Sequence, residues 1–176
     1  MEKIEITKEM LTAAQDYVPL EQKEKWVTDN ASKCFDRLAI TMGEEPMPPM
    51  YMVNSGLRSR HLMAALAKFY FGKEYEADEA DDAMMSVADY DRWAGGHVLC
   101  QLDRWKHDVE ARDKCYDLLY DFHDLEKRFT AAINGILAVQ NDAVMRQSQY
   151  TATQMKELPL VMEQLKQLQE KDDDGK

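Results

Sequence analysis

The chain has 176 residues, 45% of them hydrophobic and 31% charged, and its 22 Lys plus Arg against 33 Asp plus Glu give a formal charge of −11. This is too apolar for a chain that stays disordered, within the size of one compact domain, and too acidic for a surface that binds nucleic acid over its whole extent. The ionic partners of such a surface are basic.

Cys34, Cys100 and Cys115 are an odd, scattered set, which fits reduced thiols and neither a disulfide framework nor a CxxC metal knuckle. The opening Met-Glu-Lys-Ile-Glu-Ile lacks the basic start and apolar run of a secretory signal. No stretch approaches the roughly 20 apolar residues needed to cross a bilayer. A cytoplasmic chain is expected.

Ala, Leu, Met, Glu, Gln and Lys are plentiful, Gly and Pro are few, and β-branched runs are missing, so the expected fold class is all-α: an irregular helical bundle in one domain over 1–171. Thr7 caps a first short helix to about Tyr17, and Pro19 sits in the first turn of a second helix. That helix carries the stripe Val27, Ala31, Cys34 or Phe35, and Leu38, with Glu21 and Lys25 as an exposed pair. Over 43–56 the prolines Pro46, Pro48 and Pro49 block helix, and Met47, Met50, Tyr51 and Met52 make an apolar loop that is expected to be ordered. Asn54 or Ser55 then caps a central helix from about Leu57 to Phe71, stopped by Gly72.

An acidic loop is expected over 73–81, followed by a helix from Asp82 to Trp93 that ends at Gly95-Gly96. From Val98 to Ile136 apolar residues keep steps of three and four, which predicts one long helix from His97 to about Arg146, or two in tandem. Leu158, Val161, Leu165 and Leu168 form a last short amphipathic stripe before the Lys-Asp-Asp-Asp-Gly-Lys end. This stripe and the long helix would serve an internal bundle or a homodimer equally well. Residues 172–176 are expected to be a disordered acidic tail.

The clearest asymmetry is a switch in charge. Between Pro46 and Lys73 lie Arg58, Arg60, Lys68 and Lys73 and no acidic residue. From Glu74 to Asp91 come Glu74, Glu76, Asp78, Glu79, Asp81, Asp82, Asp89 and Asp91 and no Lys or Arg. Carboxylates along a ridge can occupy a groove built for phosphates, competing for its Lys and Arg donors. The same block also reads as a solvated loop entering a helix, with Asp81 and Asp82 against the helix dipole. Arg58, Arg60 and Lys68 form a small basic set able to touch phosphate or a partner.

Two patterns bear on catalysis. Asp113, Asp117, Asp121 and Asp124 fall near one helix face, where a divalent cation would relieve their repulsion, and all-helical nucleotide pyrophosphatases use acidic helix faces in this way. His107-Asp108 matches the dipeptide of metal-dependent helical phosphohydrolases, with His61 or His97 and Asp121, Asp124 or Asp142 as further ligands. No Gly-x-Ser-x-Gly elbow, phosphate loop or cysteine–histidine frame is present, and the expectation is a protein without catalytic, metal or cofactor residues.

In size, charge and overall character, with stretches such as Glu44-Glu45-Pro46-Met47-Pro48-Pro49-Met50 and Asp89-Tyr90-Asp91-Arg92-Trp93-Ala94-Gly95-Gly96, the chain resembles the small acidic helical anti-defence proteins of phages and other mobile elements, particularly the type II-A anti-CRISPR inhibitors of Cas9. The resemblance implies stoichiometric inhibition in a bacterial host cell, with Cas9 and its guide RNA as the partner, because Cas9 holds nucleic acid in positively charged channels. Two other functions compete with it: a metal-dependent all-α hydrolase acting on nucleotides through Asp113, Asp117 and Asp121, and a mobile-element DNA-associated protein using Arg58, Arg60 and Lys68.

Overall fold

The computed structural model describes residues 2–38, 41–42, 45–46 and 50–173. In chain order the helices are α1 Lys8–Ala13, α2 Leu20–Asn30, α3 Ser55–Ala65, α4 Val87–Gly95, α5 Val98–Trp105 and α6 Arg112–Asp173. The strands are β1 Phe35–Leu38, β2 Thr41–Met42, β3 Glu45–Pro46, β4 Met50–Val53, β5 Ala77–Asp78 and β6 Asp81–Met85. The chain divides into two compact units, Met1–Asp36 with Met52–Leu137, and Arg37–Tyr51 with Ala138–Lys176.

The fold is therefore mostly helical but not all-α. Among the described residues, three two-stranded ribbons, β1–β4, β2–β3 and β5–β6, interrupt the helices. β4 shows why a strand forms where a Pro/Met-rich loop was expected. Met50 and Met52 are exposed while Tyr51 and Val53 are half-buried, the alternation of a strand with one covered face. Gly43, Glu44, Met47, Pro48 and Pro49 lie outside the described residues, as do 174–176 of the acidic tail.

Local chemistry sets several helix ends. The Thr7 hydroxyl accepts from the Met10 N–H at 3.3 Å, and the Asn54 side chain accepts from the Leu57 N–H at 3.1 Å. α3 continues through a π-type turn, Leu66–Tyr70, to Gly72, whose φ of 56° is the left-handed conformation glycine adopts without strain. Residues 61–67 are buried all round, as befits a central helix.

Several boundaries differ from expectation. α2 ends at Asn30, and Phe35–Leu38, expected to continue its buried stripe, is strand β1 with Leu38 40% exposed. The helix expected from Asp82 begins at Val87, because the Ser86 hydroxyl accepts from the Asp89 N–H at 3.1 Å and Asp81–Met85 is a strand. Of the two forms expected for the long helix, the tandem one is observed, with α6 running past Arg146 to Asp173 and the break after Trp105. There the Asp108 carboxylate accepts from the N–H groups of Glu110 and Ala111 at 3.0 and 3.1 Å and starts α6 anew. Pro159, the first proline after the expected long helix, lies inside α6.

The core of the first unit packs Leu118, Phe122, Leu125, Phe129 and Ile133 of α6 against Trp26 and Val27 of α2 and the buried run of α3. Trp26 lies 4.6 Å, centroid to centroid, from Phe129, and Tyr70 meets Phe122 edge-to-face at 5.7 Å. The extended N-terminal segment is bound to α5 by two side chains, and the Trp105 indole N–H donates to the Ile6 carbonyl at 3.1 Å. Gln101 accepts from the Ile6 N–H at 2.7 Å and donates to the Ile4 carbonyl at 2.9 Å. The segment runs so close to the α4–α5 corner that a Cβ on Gly96 would stand 2.4 Å from the Ile4 carbonyl oxygen. The three cysteines are free thiols, with Cys34 and Cys115 buried and Cys100 exposed.

Candidate interaction face

The acidic stretch is not a loop that runs into a helix. It folds into the β5–β6 hairpin, with Ala77 opposite Met85 and Asp78 opposite Asp81 across an irregular register. Asp and Ala are poor strand formers, so neighbours rather than propensity must hold it. Asp78 accepts the Ala80 N–H at 3.0 Å and so closes the turn with its own side chain. From α3, Arg60 grips both strands: its guanidinium pairs with the Asp78 carboxylate and donates to the Met85 carbonyl at 2.7 Å.

This arrangement sorts the eight carboxylates into two groups. Asp78, Asp81 and Asp89 are structural. The Arg60 hydrogen bond holds the Asp78 carboxyl below the usual carboxylate range. Asp81 receives the Lys33 ammonium at 2.9 Å and lies 3.4 Å from the buried His61 ring. Burial pushes its carboxyl up, but the bonds from Lys33 and the Ala83 N–H outweigh burial and leave it lowered. Asp89 is buried, accepts the Glu76 N–H at 2.7 Å and pairs with Arg92 at 2.8 Å. Glu74, Glu76, Glu79, Asp82 and Asp91 are exposed. The unbroken eight-carboxylate ridge expected of this stretch is thus a set of five, mounted on a scaffold built from the other three.

The basic residues are likewise mostly committed. Arg58 donates to Glu126 at 3.0 Å and to Thr130 at 2.8 Å on α6, and Arg60 serves the hairpin, which leaves Lys68 exposed. These three do not present one free basic patch, since both guanidiniums are engaged inside the protein.

On α6 the acidic stripe is split by burial. Asp113 and Asp117 are exposed, Asp124 is half-buried, and Asp121 is 7% exposed. Asp121 accepts from Lys23 Nζ at 2.5 Å, the Val18 N–H at 2.9 Å and the Tyr70 hydroxyl at 2.8 Å. A cation at this carboxylate would have to displace the Lys23 ammonium. Asp124 pairs with Arg128 at 2.9 Å and Lys23 at 3.1 Å, and the Arg128 bond is the first cause of its lowered pKa. Burial, then the bond to Asp121, pushes the Tyr70 phenol up. His107 is exposed and Asp108 is spent on the start of α6, so the histidine–aspartate dipeptide is a helix-capping feature. Among the described residues, no group of three or more His, Cys, Asp or Glu side chains is placed to hold a metal ion.

Lys23 and Tyr70 were not singled out by sequence reasoning, and Asp121 was read only as one of an acidic, cation-binding set and not as the buried partner of a lysine. The signal was present: Lys23 precedes Trp26, Val27 and Asn30 on one buried face of α2, and Asp121 interrupts the buried run Leu118, Phe122, Leu125. A charge at a core position of each of two helices marks a pair. Above it opens a cleft of about 470 Å³ whose wall carries Tyr17, Tyr120, Asp16, Asp117 and the paired Asp124 and Arg128. Lys23 Nζ stands 5.6 Å from the Tyr17 ring centre at its base.

No protein-family model, curated protein or solved structure matches this chain.

Proposed function

We propose that the chain is a non-enzymatic interaction protein of a mobile element, which binds a basic, nucleic-acid-handling protein through the exposed carboxylates of the β5–β6 hairpin and α4, and that its partner is Cas9 loaded with guide RNA. The observation that carries this reading is the division among the acidic side chains. Asp78, Asp81 and Asp89 are fixed by Arg60, Lys33 and Arg92, so Glu74, Glu76, Glu79, Asp82 and Asp91 are displayed on an ordered support with no Lys or Arg in the stretch between them. Preorganised anions lose little conformational entropy on docking and compete with phosphate for the same donors.

The test exchanges the outer carboxylates and leaves the inner ones alone. Glu74→Lys, Glu76→Lys, Glu79→Lys and Asp82→Lys together should abolish capture of guide-loaded Cas9 in a purified pull-down while the circular dichroism spectrum is unchanged. Equal capture by this variant, or no capture by the parent chain, rejects the reading.

A further inference from the structure

From Val144 to Met162 of α6, the residues Val144, Ser148, Thr151, Met155, Leu158 and Met162 follow alternating steps of four and three, the repeat that keeps one seam on one side of a helix paired with another helix. Met155, Leu158 and Met162 on that seam are 62%, 61% and 56% exposed. A helix draws most of its stability from packing an apolar face, and this one also carries Pro159, which removes a backbone donor from the ladder. Val144 and Ser148 at the start of the seam are half-buried, so it is the part from Thr151 to Met162 that the described residues leave open and that needs a partner.

Charge decides which partner. The chain carries −11 overall, but the only charged residues between Val144 and Met162 are Arg146, Lys156 and Glu157, none of them on the seam. The positions flanking it, Gln147, Ala152 and Gln154, are uncharged as well. Like charges at such flanking positions are what turn identical helices away, and here there are none. A highly charged partner would find nothing ionic to pair with. The rest of the chain repels its own kind, and this segment does not.

We infer that the Val144–Met162 segment of α6 pairs with the same segment of a second copy, so that the chain is a homodimer in solution. This rests on the second unit alone and stands or falls independently of the acidic face. Light scattering on the full-length chain over a range of micromolar concentrations should give twice the 20.4 kDa chain mass. Met155→Gln with Leu158→Gln should weaken association by about a hundredfold or more, since each change withdraws a buried apolar side chain from both copies. Thr151→Leu, which fills a polar step of the seam, should tighten it by about tenfold. A single-chain mass throughout overturns the inference and assigns the seam to a different occupant. A dimer indifferent to both sets of substitutions overturns it as well.

Discussion

Lys23 Nζ on α2 lies 2.5 Å from Asp121 Oδ1 on α6, with both side chains sealed from solvent. The pair joins helices that are distant in the chain, and Asp121 in turn holds the Val18 N–H and the Tyr70 hydroxyl. Removing one partner strands the other charge in the core. Lys23→Met should cost about 3–5 kcal/mol in urea unfolding. Adding Asp121→Asn to that variant should recover part of the loss, because the orphaned charge goes with it. A double variant less stable than Lys23→Met would show that Asp121 acts mainly through Val18 and Tyr70.

The His61 ring is fully buried on α3, with both nitrogens lacking a hydrogen-bond partner among the described residues. Burial lowers its pKa, and the nearby Asp81 carboxylate opposes that shift while Lys33 and Arg60 reinforce it. The unfolded chain therefore takes up the imidazole proton before the folded chain does. Its contribution is intact above about pH 6.5 and is lost as the pH falls below that value. The lowered carboxyls of Asp78, Asp81 and Asp124 add their own loss only below about pH 4. The melting temperature should drop between pH 7 and pH 5, and His61→Gln should flatten that drop. An equally steep drop in the variant would assign it to other groups.

Gly96→Ala places a methyl where the Ile4 carbonyl stands, against backbone and not against a side chain that can swing away. The N-terminal segment must shift, which strains the Ile4 N–H to Arg92 carbonyl bond of 3.1 Å and the paired bonds to Gln101. A loss of about 1–3 kcal/mol is expected, with faster amide exchange confined to residues 2–7 and the α4–α5 corner. Unchanged exchange there would mean that the corner opens to admit the methyl.

What the sequence revealed follows from the range of the forces involved. Thr7, Asn54 and Gly72 mark helix ends through bonds and backbone angles within a few residues, and each was readable. The β5–β6 hairpin was not, because its residues are weak strand formers and its shape comes from Arg60 and Lys33, which lie well before it in the chain. For the same reason the acidic stretch was legible as a block of charge but not in its division between structural and displayed carboxylates. Pro159 shows a local rule overridden, since a residue that usually ends a helix lies within one.

All three tryptophans, Trp26, Trp93 and Trp105, belong to the first unit, and the second contains none. Intrinsic indole emission is thus a private optical reporter of the first unit, with Trp26 against Phe129 as its most sensitive site, and it is blind to the distal half of α6. A fluorescence melt and a far-ultraviolet dichroism melt of this one chain would not monitor the same event, and any gap between their midpoints would measure how far the two units unfold separately.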